Sequence, residues 1–196
     1  MPVSPSKLAH QFFASLYTTA DVKAVSDQLE ALSQNQTFKV HAHRIVTDSQ
    51  LTDNQKGTQL LYLLRQIDQP LLYDFFSDLI SAHHIWLFHH DKIDYFDKFV
   101  QAFQQVIDTC PVFYLTTATP LHPSDYPALI QKIKTGLGLR VLLQTNVNPA
   151  LIGGVQVKLE NYLYDVSIRS KLNQFQAQWL KTLDESDSLV GHHDPG

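Results

Sequence analysis

The sequence predicts an α+β protein in which an N-terminal six-helix bundle precedes a small α/β domain with a mixed sheet. Apolar residues recur at three- and four-residue steps through the first half of the chain, which is the period of amphipathic helices. After Cys110 and Pro111 the pattern changes to short runs rich in β-branched and aromatic residues, which are typical of strands. The predicted boundaries are 1–108 for the bundle, 109–180 for the α/β domain and 181–196 for a polar, disordered tail.

Six helical segments are predicted before this change of pattern. They begin at about residues 6, 21, 38, 52, 70 and 91. Asp21 and Asp91 are the predicted caps of the second and sixth helices, because their carboxylates accept hydrogen bonds from free amides. Pro70 suits the first turn of the fifth helix, where its missing N–H is no loss. The short polar connections between these segments favour an antiparallel bundle.

Strand and helix signals alternate in the second half of the chain. The predicted strands cover about 112–118, 140–144 and 155–159, and a hairpin turn at 160–161 follows the third. A helix over about 124–134 connects the first two strands, with Gly136 as its expected end. The last helix begins near Asp165 or Ser167, and its apolar face consists of Ile168, Leu172, Phe175 and Trp179.

Composition and charge exclude several classes of protein. The chain has 15 Lys and Arg residues against 19 Asp and Glu residues, a formal charge of -4, so it lacks the basic surface that nucleic-acid binding requires. No stretch reaches the roughly 18 consecutive apolar residues of a membrane-spanning helix, so we expect membrane association only through partners. The single cysteine, Cys110, rules out an internal disulfide and suits a reducing compartment.

Neither a cofactor site nor a metal site is predicted. Gly153 and Gly154 are not followed by the Lys-Ser/Thr of a phosphate-binding loop, and we interpret them as a tight turn or a close approach of two backbones. The chain contains ten histidines, four pairs of which are close in sequence, but their spacing does not fit a zinc site on a helix. These pairs are His41 and His43, His83 and His84, His89 and His90, and His192 and His193.

No catalytic residues are predicted either. Ser167, Asp165 and His122 are the residue types of a hydrolase triad, but the chain has no nucleophile-elbow motif. We interpret Asp165 and Ser167 instead as the capped start of the last helix. A small enzyme built on the α/β domain would need convergent polar groups in a concave site, and the sequence offers no such set.

The segment 140–172 resembles the C-terminal signature of the delta subunit of F-type ATP synthases, called OSCP in mitochondria. Its turn contains Asn148, Pro149, Leu151, Ile152, Gly153 and Gly154, and its ending contains Asp165, Ser167, Ile168, Arg169, Lys171 and Leu172. Thr119, Pro120 and Leu121 resemble an element that precedes the helix of the family's α/β domain. Ala9, Phe12, Leu16 and Tyr17 resemble the family's N-terminal start. The sequence departs from the family pattern at Trp86, His122, Asn148 and Val166.

The resemblance implies a non-catalytic stator subunit of the peripheral stalk, which links the alpha/beta catalytic head to the membrane-anchored b subunits during proton-driven ATP synthesis. The bundle is expected to bind the N-terminal helix of an alpha subunit, and the α/β domain the C-terminal end of the b subunits. The expected location is the cytoplasmic face of the bacterial plasma membrane, and the alternative is an organelle inner membrane or a thylakoid membrane. The alternative is an unrelated helical-bundle adaptor with an appended α/β domain.

Two sets of residues follow from this resemblance. Helices one and five carry apolar residues on more than the roughly 100° of surface that packing within a bundle requires, which leaves a side for a partner. The residues assigned to the alpha-subunit interface are Phe12, Phe13, Leu16, Tyr17, Leu72 and Leu79. The signature residues expected to have a structural role are Pro149, Gly153, Gly154, Asp165 and Ser167.

Overall fold

The chain divides into two compact units, Met1–Pro111 and Val112–Gly196. The structure is a computed structural model that describes residues 3–90, 93–159 and 162–178. These residues contain both α-helices and a four-stranded sheet, which confirms the predicted α+β class. The tail predicted at 181–196 lies outside the described residues.

Helices make up the first unit. They are α1 Pro5–Ala14, α2 Thr19–Gln34, α3 Gln36–Thr47, α4 Asp53–Leu64, α5 Pro70–Ser81 and α6 Tyr95–Thr109. A short 3-10 helix, Ile85–Phe88, lies between α5 and α6 and was not predicted. Each α-helix begins after a side chain that accepts a hydrogen bond from an amide of the first turn. The capping residues are Ser4, Thr18, Asn35, Thr52, Gln69 and Asp94.

Two predicted helix starts are corrected. The cap of α2 is Thr18, whose hydroxyl accepts from the N–H of Asp21 at 3.1 Å and donates to the Asp21 carboxylate at 2.7 Å. Asp21 therefore lies inside the first turn, where an acidic side chain favours the helix dipole. The cap of α6 is Asp94, which accepts from the N–H of Asp97 at 2.9 Å. The predicted cap, Asp91, lies outside the described residues.

A cluster of aromatic rings forms the core of the first unit. Helix α1 packs along α6. The ring of Phe12 stacks on Phe75 of α5 at 4.2 Å and on Phe103 of α6 at 5.5 Å. Phe76 and Phe99 extend the cluster and are fully buried. Aromatic contacts thus join α1 to α5 and α6, although α1 is far from both in sequence.

The second unit contains a mixed sheet, as predicted. Its strands are β1 Val112–Thr117, β2 Leu142–Val147, β3 Val155–Leu159 and β4 Tyr162–Asp165, in the order β2-β1-β3-β4. β1 pairs parallel with β2 and antiparallel with β3, and β4 pairs antiparallel with β3. Helix α7, Tyr126–Leu137, connects β1 to β2, and residues 168–178 form a last helix, α8. Trp179, predicted for its apolar face, lies outside the described residues.

Two boundaries in this unit differ from the prediction. Helix α7 continues past Gly136 and ends at Gly138, whose φ of 71° is left-handed and whose N–H bonds to the carbonyl of Lys134. The stop therefore falls at the glycine that takes a left-handed conformation. β2 runs from Leu142 to Val147, later than the predicted 140–144, and pairs with β1 along its whole length. Within the described residues, no helix is both long and apolar enough to cross a membrane.

Candidate interaction surfaces

The six residues predicted to meet the alpha subunit lie on or next to α1 and α5. Five of them are buried inside the first unit: Phe12, Phe13, Leu16, Leu72 and Leu79. Phe13 is only 3% exposed and meets the ring of Phe103 edge-on at 6.2 Å. Tyr17 is half-buried. Burial of this degree is typical of core positions, so Tyr17 is the one member of the set with substantial exposed surface.

A cleft between α3 and α4 was not predicted. It has a volume of about 790 Å³, and its walls include Ile45, Leu51 and Leu63 with Arg44 and Asp48. Tyr62 stands at this cleft with 72% of its surface exposed, and the guanidinium of Arg65 lies 5.6 Å from its ring centre. Because both helices have ordinary amphipathic patterns, the sequence carried no signal for this cleft.

A buried network of charges connects three parts of the first unit. Lys39 of α3 is 6% exposed, and its ammonium donates to Asp97 at 2.6 Å and to Asp94 at 3.1 Å. Ser33 of α2 also donates to Asp97, at 2.5 Å. Nδ1 of His90 lies 2.6 Å from the Asp94 carboxylate. The sequence did contain a signal for the buried lysine. Lys39 lies three residues before Ala42, a spacing that places both residues on the same, buried side of α3.

The pKa values of Lys39 and Asp94 are both shifted from their ordinary values by this network. Burial opposes the charge on Lys39, but its hydrogen bonds to Asp97 and Asp94 outweigh that effect and raise its pKa. Burial likewise opposes ionisation of Asp94. Donation from the N–H of Asp97 and from the side chains of Lys39 and His90 outweighs it, so the pKa of Asp94 is lowered. Lys39 and Asp94 are therefore both charged at neutral pH.

The signature turn in the second unit brings its glycines against backbone. Pro149 begins a 3-10 turn, Pro149–Leu151, after Asn148, whose side chain accepts from the N–H of Ala150 at 3.1 Å. Gly154 has a φ of 79°, and a Cβ added there would lie 2.5 Å from the carbonyl oxygen of Val166. A Cβ on Gly153 would lie 2.7 Å from Cδ1 of Ile168. The two glycines thus permit a close approach between the turn and the start of α8.

Asp165 and Ser167 complete this junction. The Asp165 carboxylate accepts from the N–H of Ser167 at 2.9 Å and from the side chain of Gln156 at 2.8 Å. Hydrogen bonds from Ser167 and from Gln156 lower the pKa of Asp165. Ser167 is buried and accepts from the N–H of Ser170 at 3.1 Å, as a helix cap does. His122 bonds to Ser124 instead, at 2.8 Å, so these three side chains do not assemble as a triad.

Several apolar side chains of the last strand and helix of the second unit have more than a third of their surface exposed. Leu172 and Phe175 of α8 are 53% and 63% exposed, and they lie on the same side of the helix as Ile168. Strand β4 lies at one edge of the sheet. Its residues Tyr162, Leu163 and Tyr164 are exposed on both faces of the strand, and we call the apolar side of α8 the C-terminal apolar surface: Ile168, Leu172 and Phe175. Exposed apolar groups concentrated at one end of a unit are typical of a protein interface.

Comparison with known proteins identifies the family. The family model described as "ATP synthase delta (OSCP) subunit" matches residues 9–179, which is most of the chain. The chain belongs to this family. It is therefore a structural stator subunit in the peripheral stalk of an F-type ATP synthase and not an enzyme in itself. As such it is a peripheral component of a membrane-associated complex.

Individual relatives agree with the family assignment. ATP synthase subunit delta of Rhodopseudomonas palustris strain BisA53 is 29% identical over 177 residues, covering 88% of this chain and 93% of the relative. ATP synthase subunit 5, mitochondrial, of Schizosaccharomyces pombe is 28% identical over 184 residues, which cover 88% of this chain and 81% of the relative. The delta subunit of strain BisB18 is 42% identical over a shorter segment of 62 residues. The family thus extends over both units of the chain.

Proposed function

We propose that this subunit links the alpha/beta head of the synthase to its membrane-anchored b subunits, with a separate unit for each partner. In this proposal the six helices of the first unit act as one bundle and bind the N-terminal helix of an alpha subunit. The second unit receives the C-terminal end of the b subunits. The complex lies on the bacterial plasma membrane, and the subunit is on its cytoplasmic face during proton-driven ATP synthesis.

The observation that carries the proposal is the family match across residues 9–179, which includes both compact units. A stator must resist the torque of rotation, so it needs two attachment sites within one chain. Binding of a helix along an apolar surface provides strong attachment through buried area and a few anchor side chains. The exposed groups on each unit indicate where such attachment is available.

In the first unit we assign the alpha-subunit contact to the outer side of α1 and α5. Tyr17 and Leu71 are two of the partly exposed apolar side chains there. The other five residues predicted as contacts are buried, and in this proposal they hold α1 and α5 in position from inside. They are Phe12, Phe13, Leu16, Leu72 and Leu79. In the second unit we assign the b-subunit contact to the C-terminal apolar surface, where Leu172 and Phe175 are the exposed anchors.

The test is peptide binding to the full chain, with matched variants. Tyr17→Ala is expected to weaken binding of a synthetic alpha N-terminal peptide by about 2 kcal/mol, or roughly thirtyfold. Tyr62→Ala, a change of the same residue type on α4, should leave it unchanged. For a b C-terminal peptide, Leu172→Ala is the test and Leu137→Ala, which is on α7 and 49% exposed, is the control. Failure of either peptide to bind the unmodified chain would refute its part of the proposal.

A further inference from the structure

Helix α3 and the residues before α6 meet at a pair of histidines. The backbone N–H of His90 donates to Nδ1 of His43 on α3, with 3.0 Å between the two nitrogens. An imidazole nitrogen accepts a hydrogen bond through a lone pair, and it loses that lone pair when it is protonated. The contact therefore exists only while Nδ1 of His43 carries no proton.

Among the described residues, no negative charge is paired with His43 to stabilise a proton on its ring. Its ring meets the ring of His89 edge-on at 4.8 Å, and Lys39 stands one turn earlier on α3. The nearby carboxylates, Asp94 and Asp97, are occupied by Lys39 and His90.

His90 responds to acid in the opposite way. Its Nδ1 lies 2.6 Å from the Asp94 carboxylate, and protonation makes this a charge-assisted hydrogen bond. The remaining charged neighbours on α3, Arg44 and His41, line the cleft toward α4. Acid thus strengthens the attachment of His90 to Asp94 while it removes the attachment of His90 to α3.

We propose that His43 is an acid-sensitive switch that fastens α3 to His90. While Nδ1 of His43 carries no proton, the His43–His90 hydrogen bond holds His90 against α3. Protonation of Nδ1 of His43 turns this acceptor into a donor and separates it from the His90 amide. His90 stays with Asp94, so the opening is local. This switch does not depend on which partner the first unit binds.

The test follows the His90 amide by NMR in the full chain as the pH is lowered from 8 to 5. The expected result is an upfield shift of the amide proton as its hydrogen bond is lost, with a component whose midpoint equals that of the His43 ring. An amide resonance that shows no component at that midpoint would overturn the proposal.

Two variants separate His43 from the other titrating groups. His43→Asn places a carbonyl oxygen close to the position of Nδ1 and keeps an acceptor that does not titrate, so the component is expected to disappear. His41→Asn, on the exposed side of α3, is expected to keep it. If the component persists in His43→Asn, it comes from His90 or Asp94 themselves, and His43 is not the switch.

Discussion

Replacing Phe13 with alanine tests whether Phe13 is a core residue or a binding residue. The side chain is 3% exposed and meets the Phe103 ring edge-on at 6.2 Å. Loss of a buried phenylalanine costs about 3–5 kcal/mol, because both the apolar transfer and the resulting cavity contribute. If the free energy of unfolding falls by about 1.5 kcal/mol per molar urea, Phe13→Ala lowers the urea midpoint of the first unit by about 2–3 M. The assay is urea unfolding followed by circular dichroism.

Tyr17 is the matched comparison, because it is adjacent to the same helix and half-buried. Tyr17→Ala is expected to cost about 1 kcal/mol of stability and to lose most of its affinity for the alpha-subunit peptide. Phe13→Ala, measured where it remains folded, is expected to bind that peptide as the unmodified chain does. The reasoning is refuted if Phe13→Ala keeps its stability and loses binding, because Phe13 would then be a surface anchor.

Three further changes test the local geometry. Gly154→Ala is expected to destabilise the second unit by about 2 kcal/mol or more in thermal unfolding, because Gly154 has a positive φ and an added Cβ would clash with Val166. Gly136→Ala is the control, and we expect it to be neutral or stabilising because no atom lies within 4 Å of an added Cβ. His83→Gly is expected to stabilise the first unit by about 1 kcal/mol, because His83 follows α5 with a left-handed φ of 59°, which strains a residue that has a Cβ. An unchanged urea midpoint would show that His83 is not strained. The lowered pKa of Asp94 means that its stabilisation is complete above about pH 4 and is lost as the pH falls through the folded-state pKa. Urea midpoints at pH 5 and pH 3 should therefore differ less in Asp94→Asn than in the unmodified chain.

Helical and strand periodicity in the sequence predicted the mixed class and the third strand, β3, because those signals are local. The same pattern did not distinguish which apolar residues of α1 face inward. Phe12 and Phe13 are adjacent in sequence, yet both are buried, because α1 contacts α6 and its rings reach α5 as well. The apolar periodicity of one helix does not reveal how many other helices pack against it.

Helix ends were predicted less well than helix existence, for a physical reason. Several polar residues near a terminus are able to cap it, and tertiary contacts select among them. Thr18 caps α2 while Asp21 supports it from the first turn. The charged network around Lys39 was missed for a related reason, since its partners Asp94 and Asp97 are more than 50 positions away. Contacts of that range have no periodic signature in the sequence.

The central claim is that this chain resists torque between the head and the membrane sector. It is tested most directly in membrane vesicles that contain the rest of the synthase, with and without the added chain. Without the chain, ATP hydrolysis by the head should continue but produce no proton uptake, measured by quenching of a pH-sensitive dye. Addition of the chain should restore uptake. Equal proton uptake in the absence of the chain would contradict the account.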